Sequence, residues 1–518
     1  MSHRADPGPE PERPDDDATT STGSHAAVPP APAPPSGQPA GEPAGEPVPE
    51  SGPRGDGSRR GGGSRRLDLT VALAVALPVL VALALVVVRP EASSTPARPA
   101  EQSPLARASL VCPTGGEGSE VTLASAGRAR GSAQVTPASD GRQGRAVEVG
   151  AGGVTAAPGG SGAVVVSASD ALAPELVAGR TSARPVAAAD CRPVSAEQWF
   201  TGVGAAPTHG STLELVNPNP GPAVAEVTVM GERGPVDAPS LRGVTVPGNS
   251  SQTLDLAQVV PQRGDLVLRV VVSRGQLGMS VSDRAESLTG ELTSEEWMPA
   301  QLAPATRSLL MGLPEGEGER VLSVANPSDS EVTATLRLVT AQSVFEPADA
   351  PELTLPPESV AHVDLAALLG SDVAEGALGI EVQGTAPVAS TLRSLADGDL
   401  VVSAPGQAVT EATTLLLPGG LREGDKRLVL AGADSAGVAT VTAHAADGSE
   451  LASQRVELTP DRGAEVELPA DAVRVDVEPA RTSLVGSVVI ESRDGGAVVP
   501  LRPLVRTGLE PKVAPGLP

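Results

Sequence analysis

The chain holds five imidazoles, His3, His25, His209, His362 and His444, scattered too widely to suggest a shared site. The one suggestive spacing is His362-Val363-Asp364, a ring and a carboxylate two residues apart, half of a catalytic pair. In a strand, however, residues two apart share a face, and Val363 and Leu365 claim the inward side. His362 and Asp364 are therefore expected on the outward, solvent face. A repeat of this segment puts Thr253 and Glu465 where His362 stands, which a shared catalytic role does not allow. An acid does recur, at Asp255, Asp364 and Glu467, and carboxylates are what calcium takes. No dense Asp/Asn/Gly loop surrounds it, so no metal site is expected. The Gly-rich stretch Ala151–Gly162 lacks GxxxxGK[ST]. Neither GxSxG nor HExxH occurs. The reading is a non-catalytic protein with no cofactor.

Two further residue sets remain. Cys112 and Cys191 lie 79 residues apart without a CxxC or a histidine partner, which favours a disulfide over catalytic or metal-bound thiols. On the chain-entropy model such a bridge adds about 4–5 kcal/mol. Trp199, Phe200 and Trp297 stand out where aromatics make up 1% of the chain and tyrosine is absent. They could form a stacking platform for sugars, but plugs at junctions between domains fit better. Either way they mark the candidate binding surface.

The elements that would position these residues follow from composition. The formal charge is −25, which excludes a nucleic-acid partner, whose phosphates need clustered Lys and Arg. Residues 1–66 are rich in Pro, Gly, Ala and Ser, carry no periodic apolar face, and are expected to be a disordered cytoplasmic tail. Residues 67–88 follow, with no charge from Leu69 to Val88. Twenty residues at about 1.5 Å each match the hydrocarbon layer, roughly 30 Å, so a transmembrane helix is expected, kinked at Pro78. Arg59, Arg60, Arg65 and Arg66 precede it and a lone Arg89 follows. The positive-inside rule then puts the N-terminus in the cytoplasm and the rest outside, a type II single-pass protein in the cell membrane. A signal peptide is the rival, but its apolar region is shorter and N-terminal. Residues 89–104 read as a Pro/Ser/Ala linker.

Beyond it the chain repeats. LELVNPNP (Leu213–Pro220) recurs as LSVANPSD (Leu322–Asp329), and VTVPGNSSQTLDL (Val244–Leu256) as LTLPPESVAHVDL (Leu353–Leu365). Asn217 to Asn326 and Leu256 to Leu365 are the same interval, so two separated motifs keep one period. A weaker third copy has LVLAGAD (Leu428–Asp434) and VELTPDRGAEVEL (Val456–Leu468). Each copy alternates apolar and polar residues between turn formers, and Asn-Pro should end a strand. The expected fold is mainly β: tandem immunoglobulin-like β-sandwich units. Their bounds are 105–195 (a divergent unit with the disulfide), 196–303, 304–410 and 411–506, with a C-terminal tail at 507–518. Helical signals are confined to short stretches such as Ala361–Leu369.

Cys112-Pro113, Cys191-Arg192-Pro193, Trp199-Phe200-x-Gly202 and LELVNPNP together resemble a family of actinobacterial membrane-anchored extracytoplasmic proteins without an assigned activity. The resemblance covers about 105–506 and implies an envelope location. The last copy departs from it, with Gly432-Ala433 in place of Asn-Pro. Three functions compete: an envelope scaffold or binding module built from stacked sandwiches, a carbohydrate- or peptidoglycan-binding module, and a sensor signalling through its tail. Envelope proteins or polysaccharide are the expected partners. Tandem repetition and an acidic surface favour the first.

Overall fold

A computed structural model describes residues 76–81, 83, 101–116, 118–139, 143–286 and 292–510. The 1–66 tail and most of the 67–88 run lie outside these residues. Residues 76–81 and 83 are helical, and Leu77, Val79, Leu80, Val81 and Leu83 are all more than half exposed. Among the described residues no helix is long and apolar enough to cross a membrane.

The described residues from 101 to 510 belong to one compact unit built almost wholly of antiparallel strands. They arise as the alternation dictates. In Ala223–Gly231, Ala225, Val227 and Val229 point into the core while Glu226 and Thr228 point out. Asn217 and Asn326 each close a strand, His209–Asn217 and Gly318–Asn326. The helices in the repeats are single turns, α1 (Leu256–Val259) and α2 (Ala366–Leu369). Upstream of α2, Ser359–Asp364 is a strand, so the helical expectation over Ala361–Leu369 holds only for its second half.

Four sandwiches share one strand order. We number them I (107–190), II (197–298), III (305–403) and IV (413–500). In unit IV the strands are Thr413–Leu416, Lys426–Ala431, Gly437–His444, Glu450–Leu458, Ala464–Glu467, Arg474–Ala480, Val485–Ser492 and Gly495–Pro500. Numbered one to eight, they form one sheet in the order 1-6-3-4 and a second in the order 5-2-7-8. Units I, II and III repeat both orders. In unit III the sixth and seventh strands fuse into Ala377–Ala396, whose first half joins one sheet and second half the other. The pairs 2–5 and 3–6 are those of an immunoglobulin sandwich, but the outer strands differ. Here the first strand lies beside the sixth and the seventh beside the second. The broad sandwich expectation stands, while the immunoglobulin strand order is corrected.

The units close into a ring instead of stacking in a row. Their eighth strands, Val186–Asp190, Leu292–Met298, Asp399–Ser403 and Gly495–Pro500, pack in succession, and the last packs against the first. Asp399 of unit III accepts hydrogen bonds from Ser294 Oγ of unit II (2.8 Å) and Gly496 N of unit IV (2.6 Å). Val186 N of unit I donates to Asp494 O of unit IV at 3.0 Å. Cores are shared: Leu400 and Val402 of unit III complete the core of unit II, and Val186 and Ala188 of unit I that of unit IV. A strand Glu101–Pro104 pairs antiparallel with Thr507–Glu510. That corrects two expectations at once, since part of the supposed linker and part of the supposed C-terminal tail are strands that satisfy each other's backbone groups.

Candidate functional site

The repeated polar residues turn out to serve the backbone. Asn217 Nδ2 donates to Gly221 O (2.8 Å) and Val246 O (3.1 Å), and its Oδ1 accepts from Asn219 N (3.0 Å). Asn326 repeats this with Ser330 O (2.7 Å), Leu355 O (3.1 Å) and Ser328 N (2.9 Å). Each amide clamps two loops at the end of a sandwich, where strand carbonyls would otherwise be orphaned. Unit IV solves the problem differently: Gly432 takes φ +69°, and Asp434 accepts from Ser483 N (3.0 Å) and Thr482 Oγ1 (3.1 Å). In units II and III the recurring acid accepts from a backbone N–H in the first turn of a helix, Asp255 as the N-cap and Asp364 from one residue before it. Asp255 Oδ1 accepts from Ala257 N at 3.0 Å and Asp364 Oδ1 from Ala366 N at 2.8 Å. Glu467 is exposed on a strand with no helix after it.

The cysteines are bonded to each other, Cys112–Cys191, both fully buried in unit I. Of the aromatics singled out, Trp199 is 3% and Phe200 1% exposed, so neither can be an open platform. Phe200 points into the core of unit II, and Trp199 packs with Met230, Ala325 and Val360 between units II and III. Arg269 lies 5.4 Å over the Trp199 ring. Trp297 is half-buried and donates through Nε1 to Thr114 O of unit I at 2.8 Å. It lines a small pocket of about 50 Å³ with Phe200 and Met279, which Trp199 does not reach. The three aromatics therefore do not form one surface.

What sequence reasoning missed are charged networks at the four junctions. Between II and III, His209 Nε2 sits 3.0 Å from Asp283 Oδ1, and Arg393 Nε donates to Asp283 Oδ2 at 2.8 Å. Ser211 Oγ also donates to Asp283, at 2.5 Å, which adds a third partner to this buried carboxylate. Burial works against charge on His209, but the Asp283 charge and the hydrogen bonds the ring donates to Asp265 and Asp283 outweigh it and push the ring up to about 9. Asp283 is correspondingly low: burial raises it, but His209, Arg393 and Ser211 win. His362, expected to face solvent, is 13% exposed, because it points out of unit III into unit II, 3.9 Å from Asp265 Oδ2. Residues 74 and 110 apart in the chain meet here, a proximity that no local motif signals.

The other junctions follow suit. Glu214 accepts from Thr114 N (2.9 Å) and Oγ1 (2.7 Å) between I and II. Arg427 reaches Glu491 Oε2 (2.9 Å), Glu315 Oε1 (3.2 Å) and Leu313 O (2.9 Å) between III and IV. Arg502 of unit IV pairs with Asp190 of unit I, and Arg474 donates to Ser125 O and Gly152 O. Buried cations inside the units play the part aromatics usually take, filling space and holding loop carbonyls. Lys426, fully buried, donates to Ala470 O (2.9 Å) and Ala472 O (2.6 Å), and burial draws its amine down to about 8.

Open clefts among the described residues include one of about 500 Å³ among Glu315, Asp397, Asp399, Glu491 and Arg493, and two larger ones. Of the larger two, one, about 620 Å³, lies on unit II among Glu232, Arg233, Asp237, Arg263 and Asp265. The other, about 630 Å³, lies between III and IV among Glu315, Glu317, Arg320, Arg427 and Glu465. Both are polar and carry charges of both signs.

A closed ring of four antiparallel β-sandwiches, sewn together by buried charges, is the class of protein these features define. Residues 153–469, more than half the chain, match the model of a family of unknown function, DUF5719, and the chain belongs to that family. No curated protein matches it.

Proposed function

We propose that this is a membrane-anchored, single-pass envelope protein whose ring of sandwiches acts outside the membrane as a scaffold or binding module, without catalysing a reaction. The observation that carries the reading is the use made of the repeated polar groups. Asn217 and Asn326 clamp loops, and Asp255 and Asp364 each accept from a backbone N–H in the first turn of a helix. A catalytic site needs polar groups left free to act on a substrate, and the repeat spends its polar groups on the fold. The anchor rests on the uncharged run Leu69–Val88 and on the exposed leucines and valines of residues 77–83. Such a surface fits hydrocarbon better than water.

The clefts at Arg233–Asp265 and Glu315–Glu465 suit a polar partner, protein or polysaccharide. A photo-crosslinking residue at Arg233 or Glu317, in the full chain in its own membrane, tests this. The same captured species from both positions, lost when Arg233 or Arg427 is reversed to Glu, supports a binding role. Turnover of a substrate that survives every cleft substitution would refute the non-catalytic reading.

A further inference from the structure

We propose that the junction between units II and III is an acid-sensitive clasp, which protonation of His362 loosens so that the ring opens there. The argument is one of charge and partners. At the junction Asp283 and Asp265 supply two carboxylates. His209 lies 3.0 Å from the first and 3.4 Å from the second, and Arg393 donates to the first at 2.8 Å. Two acids thus match two cations. His362 is a second imidazole, the third basic group of the cluster, with no acid of its own. Its Nδ1 lies 3.1 Å from Ser323 Oγ and 3.9 Å from Asp265 Oδ2, while its Nε2 is buried without a hydrogen-bond partner.

A neutral imidazole tolerates that setting, because the unpartnered nitrogen can be a bare lone pair. A charged one does not. Protonation puts a third cation beside His209 and Arg393, with the Asp265 backbone as a favourable contact but with no side-chain acceptor for the buried Nε2. Glu232 and Glu319 are the remaining acids near the cluster; both are exposed, and Glu319 is 3.9 Å from Arg393. Burial accordingly draws His362 below its ordinary 6.5, against the pull of Asp265 and Glu232 and with the push of His209. The sign follows. A histidine depressed in the closed state keeps that state fully stable above 6.5 and destabilises it as pH falls below that value. His362 sits on the outer strand Ser359–Asp364, and the facing Asp265 lies near the start of the strand Arg263–Arg274 of unit II. These two strands should part first.

Hydrogen exchange of the purified full-length chain at pH 7.5 and 5.0, corrected for intrinsic rates, tests the clasp. Protection of Ser359–Asp364 and of the start of Arg263–Arg274 should fall several-fold at pH 5.0, while Val164–Ser169 in unit I holds. His362→Gln should abolish the difference. Equal loss in all units, or the same loss in the variant, overturns the proposal. Should His362→Gln already weaken protection at pH 7.5, the wild-type ring is followed directly by NMR. Titration below 6.5 together with the loss of protection supports the clasp. Titration at or above 6.5, or opening at another pH, overturns it.

Discussion

Asp190→Ala should open the ring between units I and IV. The carboxylate ends the eighth strand of unit I and is 6% exposed, and its partner Arg502, 8% exposed, follows the eighth strand of unit IV. Arg502 also donates to Cys191 O at 3.2 Å. Truncating the acid leaves a largely buried guanidinium without its counter-charge, and half-buried Arg192 loses the same opposing charge. Breaking a buried pair from one side costs about 3–5 kcal/mol, mostly the charge left behind. Much of a typical stability of about 5–15 kcal/mol is then gone. The strands Glu101–Pro104 and Thr507–Glu510 pair beside this junction and should lose hydrogen-exchange protection with it. The pair Asp190→Leu with Arg502→Met removes both charges at similar volume and should cost far less than Asp190→Ala alone. Urea unfolding reads the difference as a midpoint shift at constant slope. A loss under about 1 kcal/mol for Asp190→Ala, or a double variant worse than either single one, would refute the reasoning.

Three further outcomes are expected. His209 rises from 6.5 to about 9 on folding, so its charge contributes stability below pH 6.5 that is lost as pH climbs to about 9, up to about 3 kcal/mol. In His209→Gln that slope in urea midpoints between pH 6.5 and 9 should vanish. Asn326→Ala should cost about 2–3 kcal/mol in the same assay, since Ser330 O, Leu355 O and Ser328 N lose their partner. Cys112→Ser with Cys191→Ser should lower stability by up to about 4–5 kcal/mol, the loop entropy of a closed 79-residue separation. Wild-type protein denatured without reductant should show no free thiol.

Much of the fold is legible in the chain, for local reasons. Alternation in Val244–Val246, Leu353–Leu355 and Val456–Leu458 marks strands, because one face of each is buried. The spacing of Asn217 and Asn326 marks a period, because each amide must close the same pair of loops. Ring closure is not legible. It joins Glu101 to Glu510 and Asp190 to Arg502, residues hundreds apart whose own neighbourhoods show only a proline-rich stretch and a strand end. The outward position of His362 was readable, but its burial was not, since the covering surface belongs to another unit. For the same reason the sequence does not show that the unit at 411–506 shares its core with unit I. With Val186 and Ala188 of unit I packed in its core, its removal should expose unit I instead of leaving three intact sandwiches.

The proposal that the ring is anchored and faces outward is tested most directly by labelling single cysteines with a membrane-impermeant thiol reagent on intact cells. Cys112 and Cys191 are bonded to each other, so an introduced thiol is the reactive one. Ser449, exposed at a hairpin tip of unit IV, should label as Ser449→Cys. Ser21→Cys, in the tail before the apolar run, should label only after the cells are permeabilised. The reverse pattern, or a released fragment beginning near residue 90, would contradict the account.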